Sequence, residues 1–288
     1  MKRKWIIFKA ALGFMIFMNI VLFIFDFKCI RNVQMNVQRN IQSGEIADMK
    51  TENHQQSIER LLFLAKEPLG KTMYVWGGGW NEEDSGAGVE TVTLGVSPAW
   101  ERFAKKQDAA YDFNQTRYQI HNGLDCSGYI GWLIYNFLET ENGKEGYVVK
   151  SSEMASFLAK KGLGEYTEST QVQDWKPGDI MSMKGHVWMS LGSCEDGSVV
   201  VLHASPPGVT LSGTLLPDGS ESMALQLAKK YMKENYPKWY KKYGVKACGY
   251  KYLTASSQMR WNEEWVKDAQ GLQEKSAKEV LEMLFEKN

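Results

Sequence analysis

The sequence predicts an α+β fold, and two stretches carry that prediction. Leu124-Asp125-Cys126-Ser127-Gly128 opens an apolar run in which Tyr129, Leu133 and the Trp132/Asn136 pair recur at helical spacing, so Cys126 falls in the first turn of a buried helix. Further on, residues 180–183, 186–191 and 199–203 are short β-prone runs separated by turn residues, the pattern of antiparallel hairpins. At 288 residues, 43% hydrophobic and 12% aromatic, the chain suits one large or two small globular units. Lys+Arg and Asp+Glu balance at 34 each, so no net field argues for a nucleic-acid partner.

Residues 5–25 are apolar apart from Lys9 and Asn19, and a helix of that length rises ~31 Å, about one hydrocarbon core. Lys2, Arg3 and Lys4 favour a cytoplasmic amino end, which puts the rest of the chain outside. No small-x-small pair follows Phe25, so an uncleaved, single-pass membrane anchor is expected in preference to a signal peptide. The expected organisation is a cytoplasmic tail at 1–4, the anchor at 5–25, a polar extracytoplasmic stalk at 26–55, a catalytic domain at 56–260 and a C-terminal helix at 261–288.

Ser57 can cap a helix whose apolar face is Ile58, Leu61, Leu62 and Ala65, ended by Pro68 and Gly70. Tyr74-Val75-Trp76 then reads as a short strand running into three glycines. Residues 80–120 form an insertion, with a strand expected over 89–96 and a helix over 99–110 started by Ser97-Pro98. A helix is expected over 152–161, and Trp175-Lys176-Pro177-Gly178-Asp179 is a turn leading into the strands. Residues 220–243 read as helical and basic, 250–255 as a further strand, Asn262 as a helix cap, and Ser276-x-x-Glu279 as a capping box. The cysteines at 29, 126, 194 and 248 have no paired spacing; Cys194 and Cys248 could pair, but incidental thiols are the better reading.

The unpaired N–H groups of a helix start favour an anion, which would lower the Cys126 pKa and make it a candidate nucleophile. A thiol nucleophile needs a base and a group to orient that base. If Gly192 opposes Val199 in the hairpin, His203 opposes Trp188, and His186 and His203 become diagonal neighbours on one face. His121, five residues before the cysteine, is expected to be a loop residue or a substrate contact.

Four blocks in order, Tyr74-Val75-Trp76-Gly77-Gly78, Leu124-Asp125-Cys126-Ser127-Gly128, Lys176-Pro177-Gly178-Asp179 with His186-Val187, and His203-Ala204-Ser205-Pro206, resemble the motifs of the NlpC/P60 cell-wall cysteine peptidases. The resemblance implies a papain-like α+β fold, with the nucleophile helix packed on an antiparallel sheet. It further implies hydrolysis of an amide in bacterial peptidoglycan stem peptides, near the γ-D-glutamyl to diamino acid bond. Cys126 would be nucleophile, His186 base and then acid, and His203 the orienting residue. Tyr74, Trp76, Asp125 and Ser127 would bind substrate, with Asp125 facing the stem peptide's free amine. No metal or other cofactor is implied. Met73 stands where the family often has proline, and the connection from Gly79 to Leu124 is much longer than usual. An amidase or acyl transferase using the same thiol, or a non-catalytic envelope-binding protein, is the alternative.

Overall fold

The computed structural model describes residues 56–286. Eight strands run in chain order as β1 (Met73–Tyr74), β2 (Gly123–Leu124), β3 (Gly164–Thr167), β4 (Ile180–Met183), β5 (His186–Ser193), β6 (Val199–Ser205), β7 (Gly208–Gly213) and β8 (Ser257–Trp261). They form one sheet of order β2-β1-β7-β6-β5-β4-β8-β3. Helices α1 (Ile58–Lys66), α2 (Pro98–Lys106), α3 (Cys126–Phe137), α4 (Met154–Lys160), α5 (Met223–Asn235), α6 (Pro237–Tyr243), α7 (Lys251–Thr254) and α8 (Ala277–Phe285) complete the fold.

The fold class differs from expectation in its sheet. The sheet is mixed rather than antiparallel, because β1 and β2 pair in parallel through Met73 with Gly123 and Tyr74 with Leu124. A parallel pair needs a crossover of a dozen or more residues, and the long insertion between these strands supplies it. The papain-like antiparallel arrangement therefore gives way to a mixed sheet whose parallel edge strand runs straight into α3. Among the described residues no helix is long and apolar enough to cross a membrane. The segments expected at 1–4, 5–25 and 26–55 lie outside the described residues.

Three of the helices, α1, α3 and α8, follow from local signals. Ser57 Oγ accepts the Arg60 N–H at 3.1 Å, and α1 buries Ile58, Leu61, Leu62 and Ala65 as its periodicity requires. Every residue of α3 is buried, which explains a sequence apolar on all sides. Gly128 is required there: a Cβ would lie 2.1 Å from the Gly78 carbonyl oxygen, so the glycine turn after β1 seats directly on the helix. Ser276 and Glu279 close the expected capping box of α8, which buries Ala277, Val280, Leu281 and Leu284 in the common core.

Several local expectations are corrected. Residues Val89–Val92 form a 3-10 turn, because the fully buried Thr91 donates its hydroxyl to the carbonyls of Gly79 (2.8 Å) and Gly88 (2.9 Å) and pins the segment to the glycine turn. The expected strand at 250–255 is the helical turn α7, and the strand comes after it as β8. Packing of Tyr252 on the rings of His186, Trp188 and His203 outweighs the β propensity of this stretch. Helix α4 starts at Met154 without a side-chain cap. The basic tail is two helices broken at Tyr236-Pro237, and Asn262 starts a turn.

Candidate active site

The site is assembled from the start of α3 and the paired strands β5 and β6. Asp125 caps α3: its carboxylate accepts the Gly128 N–H at 2.8 Å. Burial pushes this carboxyl up to about 7, and the backbone donors pull against that rise. The carboxylate expected to face a substrate amine is thus engaged in holding its own helix. The Cys126 N–H, one position on, has no hydrogen-bond partner among the described residues.

Strands β5 and β6 pair with Met189 opposite Leu202 and Ser190 opposite Val201. A bulge near the turn places Ser193, not Gly192, opposite Val199, yet the histidine end keeps the expected alignment. His186 and His203 therefore share a face, and His186 Nε2 lies 2.8 Å from His203 Nδ1, with the rings edge to face at 5.0 Å. His186 Nδ1 makes no hydrogen bond among the described residues. Helix α3 packs against both β5 and β6, which sets the thiol beside the histidine strands. Ser127 is only 4% exposed, with its hydroxyl 4.0 Å from the sulfur, so it sits behind the thiol rather than on an open surface.

The electrostatics reverse one expectation. Burial pushes the Cys126 thiol up to about 12, the Asp125 charge adds to the rise, and the Val187 N–H and the Ser127 groups only partly offset it. Burial likewise lowers His186 to about 4, and His203 is held well below the usual histidine range by burial and then by His186. The helix N-terminus is outweighed by desolvation, so thiol and imidazoles rest neutral in the free protein. Iodoacetamide alkylation of Cys126, followed by peptide-resolved mass spectrometry, is accordingly expected to keep accelerating beyond pH about 9. A plateau near neutrality would reveal a stabilised thiolate instead.

The insertion at 80–120 lies against this site. Tyr111 donates its hydroxyl to the Tyr74 carbonyl at 2.6 Å, Phe113 packs edge-on to the Tyr74 ring at 5.5 Å, and the Tyr118 N–H donates to the Trp76 carbonyl at 2.8 Å. The Arg117 guanidinium stands 4.7 Å over the Trp76 ring and makes no ion pair among the described residues. The Tyr74 hydroxyl is held above its usual range by burial first, then by the charges of Cys126 and Asp125, while Arg117 pulls it down. Trp76 and Tyr118 remain 42% and 61% exposed, available to a ligand.

Cys126, His186, His203, Tyr74 and Asp125 are thus brought together, with Trp76 at the edge. His121 is not; it is exposed and pairs with Glu90. Cys194 and Cys248 are free thiols, so their possible pairing is not formed. Tyr252, stacked 5.5 Å from His186 and 6.3 Å from His203, was invisible in the sequence, as were Tyr111, Phe113 and Arg117. Comparison with known protein families, with curated proteins and with solved structures finds no match to this chain.

Proposed function

We propose that the chain is a peptidoglycan hydrolase of NlpC/P60 type, a cysteine endopeptidase that cleaves stem peptides near the γ-D-glutamyl to diamino acid bond. The observation that supports it most is the His186–His203 pair at 2.8 Å on strands packed against the helix that begins with Cys126. For His186 to take the thiol proton at Nδ1, it must carry its own proton at Nε2 and donate to His203 Nδ1, leaving the His203 proton at Nε2. The sulfur then attacks the scissile carbonyl, and the unpartnered Cys126 N–H is a donor for the developing oxyanion. The imidazolium of His186, held by His203, protonates the leaving amine. Water, deprotonated in turn by His186, hydrolyses the thioester and frees the thiol.

Digestion of purified sacculi followed by mass spectrometry of the muropeptides tests this. Fragments cut within the stem peptide are expected; fragments cut at the glycan-peptide amide would identify the amidase alternative, and none from folded protein would remove the hydrolase reading. An arginine without a carboxylate partner, over an exposed tryptophan and beside the site, suits a carboxylate of the stem peptide. Arg117→Ala is expected to raise KM about tenfold or more, the worth of one charge-assisted hydrogen bond, with kcat nearly unchanged. Steady-state kinetics on a defined stem peptide would check it, and an unchanged KM would remove Arg117 from the substrate site.

A further inference from the structure

A second cavity, of about 640 Å3, lies between α2, α6 and the turn at Gly70-Lys71, and none of the cysteine-site residues line it. Its size matches a single small ligand rather than a polymer. The apolar part of its wall includes Ala104, Trp239 and Tyr243, with the Trp239 and Tyr243 rings 4.8 Å apart. Lys71, Lys105, Lys238, Lys241 and Lys242 surround it, against one carboxylate, Glu101. Glu101 is already paired with Lys105 at 2.8 Å, and the other four lysines have no carboxylate partner among the described residues. The indole N–H of Trp239 and the hydroxyl of Tyr243 also lack hydrogen-bond partners. An apolar wall and a rim of ammonium groups without carboxylate partners together call for an anion on an apolar body.

We infer that this cavity binds a phosphate-headed amphiphile, with its apolar portion on Trp239 and Tyr243 and its phosphate among Lys71, Lys238 and Lys241. Lysine serves phosphate as a point charge, and a dianion compensates several lysines at once. A carboxylate would compensate fewer, and an uncharged lipid none.

The test is titration of the full chain with dodecyl phosphate below its micelle-forming concentration, followed by calorimetry. Saturable binding of one molecule per chain is expected, at least tenfold tighter than for inorganic phosphate or dodecanol. The Lys238→Ala/Lys241→Ala variant, altered only at exposed side chains, is expected to bind at least tenfold more weakly while keeping its circular dichroism spectrum. Cys126→Ala is expected to bind like the parent, so this site stands or falls apart from the peptidase reading. Titration with dihexanoyl phosphatidylglycerol monomers separates the sources: binding weakened at least tenfold in the lysine variant identifies a membrane lipid, whereas dodecyl phosphate binding without it identifies a soluble amphiphile. Absence of saturation, equal affinity for dodecanol or undiminished binding by the lysine variant would overturn the inference.

Discussion

Cys126→Ala is expected to abolish stem-peptide cleavage, by about 10⁴-fold or more in kcat/KM, while leaving the fold intact. The size follows from the chemistry: without sulfur no thioester forms, and only binding and the oxyanion donor remain. The mild structural effect follows from the site, because alanine keeps the α3 backbone, the Asp125 cap and the packing of Gly128 on Gly78, and removes one buried atom. Its cost is roughly 1 kcal/mol or less, that of deleting a small buried group. His203→Ala separates the roles further. It leaves His186 Nδ1 in place but removes the acceptor for Nε2–H, so kcat is expected to fall about 10²-fold or more with KM nearly constant. His203→Asn, which restores a carbonyl acceptor, is expected to recover part of that loss. Muropeptide release and thermal unfolding, measured on all three variants, check these expectations together. Undiminished turnover by folded Cys126→Ala would end the thiol mechanism, and failure of Asn to rescue would make His203 a packing residue.

The parts of the site legible in the sequence were those fixed by short-range rules. The apolar run after Asp125 recurs at helical spacing, so the position of Cys126 in the first turn follows from local signals, whereas the sequence reading gives Asp125 to the substrate and not to the helix cap it forms. Strand alternation puts His186 and His203 on one face, but the turn expected to set their register is one residue off, and the bulge between Ser190 and Ser193 is what restores the alignment. What failed depended on distant packing. Tyr252 sits in a stretch of β-prone residues, and only its stacking on the histidines makes it a helical turn. Thr91 turns a β-branched segment into a 3-10 turn because its hydroxyl has two carbonyls to reach. The thiol's raised pKa has a related cause: the helix dipole is visible in sequence, whereas the burial that outweighs it is not. The parallel pairing of β1 with β2 depends on how a long insertion folds back, and no local pattern encodes that.

Arg260→Met is expected to be the most destabilising single change outside the hydrophobic core. Asp179, at the end of the Lys176-Pro177-Gly178-Asp179 turn, is fully buried. Its carboxylate accepts the Lys176 N–H at 2.8 Å, Gln258 Nε2 at 2.8 Å, Arg260 Nε at 3.1 Å and Arg260 Nη2 at 2.7 Å. This network fastens the turn that launches β4 to the neighbouring β8, and so holds the strands that carry His186. Burial raises the Asp179 carboxyl to about 6, with Arg260 pulling it down. Removing the guanidinium leaves a buried carboxylate with amide donors alone, which costs about 3–5 kcal/mol. For a chain of this size that lowers Tm by roughly 6–20 °C. The sign with pH follows from linkage. The variant's folded-state carboxyl is raised further above its unfolded value of about 3.9, so between those values the folded form holds a proton that the unfolded form has released. Stability of the variant therefore declines as pH rises through that window, and its deficit relative to the parent is larger at pH 8 than at pH 5. In an Asp179→Asn background no buried charge is stranded, and the cost of Arg260→Met should shrink to less than half. Thermal unfolding of the four proteins at both pH values decides the matter: an unchanged Tm, or equal costs in both backgrounds, would show that the ion pair contributes nothing to holding this turn.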